Sequence, residues 1–141
     1  MLDDSQPTSP GTPGSRRESP LLDEPPIDLV HLARQCQGVD GLEEELLGLF
    51  RRLAGGQAAQ LSDPHMELGL KADAAHKLRG SALAIGAGRV ARAAEAIEAL
   101  AREAGGNAPS GERTAAAARA VAALQAAVVE AIAEIERLHG W

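Results

Sequence analysis

The chain has 141 residues, the length of one domain, and its aromatic content is 1%, with no tyrosine; that disfavours a β-sandwich or barrel. A formal net charge of −6 excludes a general nucleic-acid binder, which needs basic patches to displace counterions. The single cysteine, Cys36, excludes an internal disulfide and fits a reducing compartment.

The first 26 residues, MLDDSQPTSPGTPGSRRESPLLDEPP, hold six of the eight prolines among Ser, Thr and Gly. Such a stretch buries too little apolar surface to offset its ordering entropy, so residues 1–26 are expected to be a disordered tail before a domain at 27–141. The acidic, polar start is unlike a secretory signal, and no continuous apolar run approaches the ~20 residues of a membrane span. A cytoplasmic location without membrane association is therefore expected. Thr12-Pro13 and Ser19-Pro20 are open to modification, although a soluble spacer explains the same composition.

Helical periodicity starts after Pro26. A short first helix is expected from Asp28, as N-cap, to Cys36, with Gly38 just past its end. A second covers about Asp40 to Ala54, with Leu42, Leu46, Leu49, Phe50 and Leu53 on its apolar stripe, and stops at Gly55-Gly56; whether 57–61 continues it is left open. Asp63-Pro64 reads as an N-cap followed by proline at the first helical position, opening a third helix to about Ile85. Gly86-Ala87-Gly88 breaks the chain before a fourth helix to about Glu103, with Val90, Ala94, Ile97 and Leu100 on one face. After a loop at 105–109, Ser110 caps the longest helix, to about Leu138, striped by Ala117, Val121, Leu124, Val128, Ile132, Ile135 and Leu138. The expected architecture is all-α: an antiparallel four-helix bundle with the additional short N-terminal helix across one end.

The third helix carries the unusual face. With His76 at zero and about 100° per residue, Ala74, Leu78, Ala82 and Ile85 fall opposite, toward the core. Gly69, Ala72, Gly80 and Leu83 surround the histidine, flanked by Asp73, Lys77 and Arg79. Glycine inside a helix costs about 1 kcal/mol relative to alanine, so glycines on the histidine's own face call for a reason. Gly80 at i+4 leaves one edge of the imidazole bare, and Arg79 at i+3 can reach a group attached to the ring. An imidazole is a good nucleophile near neutral pH, and a guanidinium offers two donors to phosphate oxygens. The pattern suits phosphoryl carriage, with catalysis left to a partner.

Ala75-His76-Lys77-Leu78-Arg79-Gly80-Ser81-Ala82, followed by Ile85-Gly86-Ala87 and by Glu98 in the next helix, resembles the signature of histidine-containing phosphotransfer (HPt) domains of bacterial two-component phosphorelays. The resemblance covers about residues 27–138. It implies that His76 accepts a phosphoryl group from a receiver aspartate and relays it to another receiver. It also implies response-regulator receivers and a hybrid or cognate sensor histidine kinase as partners, with the receiver supplying Mg²⁺ and the catalytic groups. The chain would then be a carrier and not an enzyme, with no cofactor of its own, and a monomer. Arg79 departs from the lysine usual at that position, keeping the charge but replacing a point cation by a planar fork.

Other readings account for the same residues differently. The chain could be a helical scaffold that binds a signalling partner through the His76 face without phosphorylation. A metal-dependent bundle enzyme is disfavoured, because His31, His65 and His139 lack the i+3 or i+4 pairings of a ligand set. Glu43-Glu44-Glu45 complements a helix N-terminus. Cys36 reads as a small buried hydrophobe, and Gly86-Ala87-Gly88 lacks the strand and Lys-Ser/Thr of a phosphate loop.

Overall fold

The computed structural model describes residues 24–103 and 110–141, without the side chains of 110–113. Its helices are α1 (Leu29–Cys36), α2 (Leu42–Gln60), α3 (Leu68–Ile85), α4 (Gly88–Glu103) and α5 (Ser110–His139), and there is no strand among the described residues. The fold is an all-α helical bundle, as composition and periodicity indicate. Packing runs around the ring α2–α3–α4–α5 and back to α2, most extensively between α3 and α4, while α1 rests on α3 and α2. The expected loop at 105–109 and the tail through residue 23 lie outside the described residues.

The core is built from aliphatic and alanine side chains on the inward stripes. Leu47, Phe50, Ala54 and Ala58 come from α2, and Ala75, Leu78, Ala82 and Ile85 from α3. Val90, Ala91, Ala94 and Ile97 come from α4, and Val121, Leu124, Ala127, Val128, Ala131 and Ile135 from α5. Each fully buried Leu or Ile is worth about 1.5–3 kcal/mol against exposure, and the alanines allow close helix approach. Cys36 is a buried free thiol, and burial, then the charge of Glu43, pushes it above its ordinary pKa. The alanine-rich stretch Thr114–His139 of α5 is long and apolar enough to cross a membrane by length and composition, with mean hydropathy 1.5; what it buries in the bundle is the stripe from Val121 to Ile135.

Two elements differ from expectation. α2 does not stop at Gly55-Gly56 but continues to Gln60. Both glycines face outward, and the extra turns bury Ala58 and seat Leu61 fully in the core, outweighing a helix-propensity cost of about 1 kcal/mol per glycine. The Gln125 amide on α5 donates to the Ala58 carbonyl at 3.0 Å and ties the extension down. α3, in turn, begins at Leu68 and not at Pro64. The Asp63 carboxylate accepts from His65 N–H at 2.9 Å and so closes a local turn instead of capping a helix. Gly69 thereby falls in the first turn of α3, where it weakens the helix less than an interior glycine would.

The segment from Glu24 to Asp28 is strapped to α4 and the α3–α4 turn. The Asp28 carboxylate caps α1 by accepting from Val30 and His31 N–H, and the Asp28 N–H donates to the Gly86 carbonyl at 2.8 Å. Gly86 adopts φ +80°, and a Cβ there would meet the Asp28 carbonyl oxygen at 2.7 Å. Ile27 is buried beside it, and Glu24 forms an ion pair with Arg92 on α4. Glu24, within the stretch expected to be tail, thus contacts α4.

Candidate functional site

α3 turns Ala75, Leu78, Ala82 and Ile85 inward, and this register sends His76 out; Ala74, expected on the core face, is only half-buried. The His76 side chain is 65% exposed. Gly69, Asp73, Lys77 and Gly80 are exposed around it, Ala72 is half-buried, and Leu83 is 48% exposed two turns along. A Cβ at Gly80 or Gly69 would meet no atom within 4 Å, so neither glycine is required by packing. The low rim expected around the imidazole is present.

Arg79 does not stand free on that rim. Its side chain, 28% exposed, crosses to α4, where Nε donates to Glu98 Oε2 at 2.8 Å and one terminal nitrogen lies 3.7 Å from Glu95. Glu98, 15% exposed, uses its other oxygen on the histidine, with His76 Nδ1 and Glu98 Oε1 3.0 Å apart. The second Arg79 terminal nitrogen also lies 3.1 Å from Nδ1. One ring nitrogen cannot donate to a carboxylate and accept from a guanidinium at once. Because a carboxylate only accepts, Nδ1–H donates to Glu98, and Arg79 lies beside it as a neighbouring cation. Nε2 is then the nitrogen with the free lone pair, and it has no hydrogen-bond partner among the described residues.

The electrostatics agree with this bracket. Burial alone would raise the Glu98 pKa. The hydrogen bond from His76, the charges of Arg79 and His76, and the hydrogen bond from Arg79 together outweigh burial and hold the carboxyl below its ordinary value. Glu98 is therefore an anion facing Nδ1 across the neutral pH range.

Exposed apolar side chains lie on α1 and α2. Leu49 and Leu53 of α2, expected in the core, are 45% and 51% exposed, because α2 turns Leu47, Phe50 and Ala54 inward instead. They line an apolar groove of about 150 Å³ against Ser81, Ala84 and Ile85 of α3. Leu29 and Val30 of α1 are also exposed, and His31 Nε2 donates to the Leu83 carbonyl at 2.7 Å, fixing α1 to the last turn of α3. A larger cavity of about 610 Å³, lined by Leu61, Met66, Lys71, Val121 and Gln125, lies at the α2–α3 connection and includes none of these residues. His139 lies 3.7 Å from Glu44 and stacks on Trp141, and the described residues hold no group of three or more potential metal ligands.

The bundle thus presents one exposed imidazole on a low rim, with its Nδ1 3.0 Å from a carboxylate of the next helix. The sequence profile of the Hpt domain matches residues 39–136, and the chain belongs to the Hpt domain family. Hpt domains are phosphocarrier modules of phosphorelays and not catalysts. No curated protein and no solved structure matches the chain.

Proposed function

We propose that His76 accepts a phosphoryl group from the aspartyl phosphate of one receiver domain and relays it to the aspartate of another. The observation that carries this reading is the exposed imidazole whose Nδ1 lies 3.0 Å from Glu98 Oε1, an arrangement that favours the proton on Nδ1 and leaves Nε2 with the free lone pair. In the forward step the Nε2 lone pair forms the N–P bond as the P–O bond to the receiver aspartate breaks, and that aspartate leaves as a carboxylate. The ring gains positive charge, and the Glu98 carboxylate on Nδ1–H stabilises it where it develops. The receiver supplies Mg²⁺ and the remaining groups.

Gly69, Ala72, Asp73, Lys77, Gly80 and Leu83 are the surface against which the receiver closes. Leu49, Leu53, Leu29 and Val30 extend it with apolar area, which at this exposure suits a transient protein partner. A sensor kinase with its own receiver would load the first phosphoryl group. The protein acts in this reading as a cytoplasmic monomer.

The test is incubation with a phosphorylated receiver. Wild type is expected to gain an acid-labile, alkali-stable phosphate, and His76→Gln to gain none while remaining folded. Uptake by His76→Gln would overturn the assignment. Binding of the receiver without uptake by wild type would instead leave a scaffold.

A further inference from the structure

We propose that the cavity at the α2–α3 connection is a binding site for an aliphatic monocarboxylate whose carboxylate meets Lys71, a function separate from any relay through His76. The cavity, of about 610 Å³, opens between the end of α2, the first turns of α3 and the N-terminal half of α5. Small-molecule sites have volumes of this order. Its wall includes the buried Leu61 and Val121 and the half-buried Met66 and Ala117.

The polar side chains of the wall differ in what they have left to give. The Gln125 amide donates to the Ala58 carbonyl at 3.0 Å, and the Ser62 hydroxyl spends its one donor on the Ala59 carbonyl at 2.8 Å. Lys71 Nζ donates to the Leu61 carbonyl at 2.8 Å, which caps the end of α2. An ammonium has three donors, and that cap uses one. Lys71 is half-buried, is the one charged residue of the lining, and takes part in no ion pair among the described residues. A cation partly withdrawn from water gains more from an anion beside it than a fully solvated lysine does.

The same lining selects the ligand. One cation matches one anionic group, whereas polyphosphates are held by several cations and backbone donors together. The lining residues include no aromatic ring on which a nucleobase or an aromatic acid could stack. A saturated chain ending in a carboxylate satisfies both the aliphatic wall and the spare Lys71 donors.

The probe is decanoate below its micelle concentration, titrated into the full chain and followed by amide chemical shifts and calorimetry. Wild type is expected to bind it saturably, with the largest shifts around Leu61, Lys71, Val121 and Gln125. Octanoate is expected to bind more weakly, by roughly fourfold for each methylene removed. Lys71→Met keeps the side-chain length and removes the charge; it is expected to weaken decanoate at least roughly tenfold while the neutral analogue decanol stays within about twofold. Retained decanol binding shows that the cavity still forms in the variant. Ala117→Leu, which fills the cavity, is expected to weaken both ligands. Absence of saturable decanoate binding to wild type, shifts confined to the Leu49–Leu53 groove, or undiminished decanoate affinity in Lys71→Met would each overturn the proposal.

Discussion

Glu98 on α4 and His76 on α3 are joined across the most extensive helix pair of the bundle by a 3.0 Å hydrogen bond from Nδ1. The bond links the stability of the fold to the readiness of the site, because the contact that orients the imidazole also bridges two helices.

That link has a pH signature. The Glu98 carboxyl titrates lower in the fold than in the unfolded chain, where glutamate lies near ~4.3. Its contribution to stability is therefore complete above the unfolded value and is lost as pH falls through the folded one. Urea unfolding of wild type and Glu98→Gln is expected to show wild type more stable at pH 6, with the gap closing below about pH 4. A gap that widened on acidification would contradict the arrangement.

Gly80→Leu is expected to block transfer from a receiver while leaving the fold intact or slightly stabilised. Leucine is the better helix former by about 0.8 kcal/mol, and a Cβ at this position meets nothing within 4 Å. The added side chain stands one turn from His76, where a receiver must approach to bonding distance. Phosphoramidate, a small donor, is expected to phosphorylate the variant still. Wild-type transfer rates from a receiver would remove Gly80 from the docking surface.

Leu53→Glu is expected to raise KM for a phosphorylated receiver roughly tenfold, with kcat little changed. Leu53 is 51% exposed, so the melting temperature should move little. The check is steady-state transfer beside a thermal melt; unchanged KM would mean that the α2 side of the groove stays clear of the partner.

Gly86→Ala is expected to destabilise the protein by about 1–3 kcal/mol, through a positive φ and crowding together. A Cβ there would lie 2.7 Å from the Asp28 carbonyl oxygen, which belongs to the strap over the α3–α4 turn. Denaturant unfolding measures this directly, and a loss below about 0.5 kcal/mol would mean that the strap yields freely.

Much of this was legible in the chain before any coordinates. The 3.6-residue spacing of Val90, Ala94 and Ile97, and of Val121, Leu124, Val128 and Ile135, places α4 and α5 on their buried faces. The exposure of His76 follows from the same spacing around Leu78 and Ala82. Local signals misled where tertiary contacts outweighed them. Gly55-Gly56 reads as a stop, but burial of Ala58 and Leu61 carries the helix past it. Asp63-Pro64 reads as a helix start, but the Asp63 carboxylate closes a turn with His65. Leu49 and Leu53 fit a helical stripe as well as Leu47 and Phe50 do, and only the neighbouring helices decide which stripe turns inward. The Arg79–Glu98–His76 chain spans α3 and α4, so no spacing within either one discloses it; the acidic residue late in α4 is its only trace.

The most direct test of the account is to locate the phosphorus atom. Uniformly ¹⁵N-labelled protein, loaded from a phosphorylated receiver and examined by ³¹P–¹⁵N correlation at alkaline pH, should show one phosphohistidine, at His76, with phosphorus bonded to Nε2 and a proton on Nδ1. Phosphorus on Nδ1, on another histidine, or on no histidine at all would contradict it.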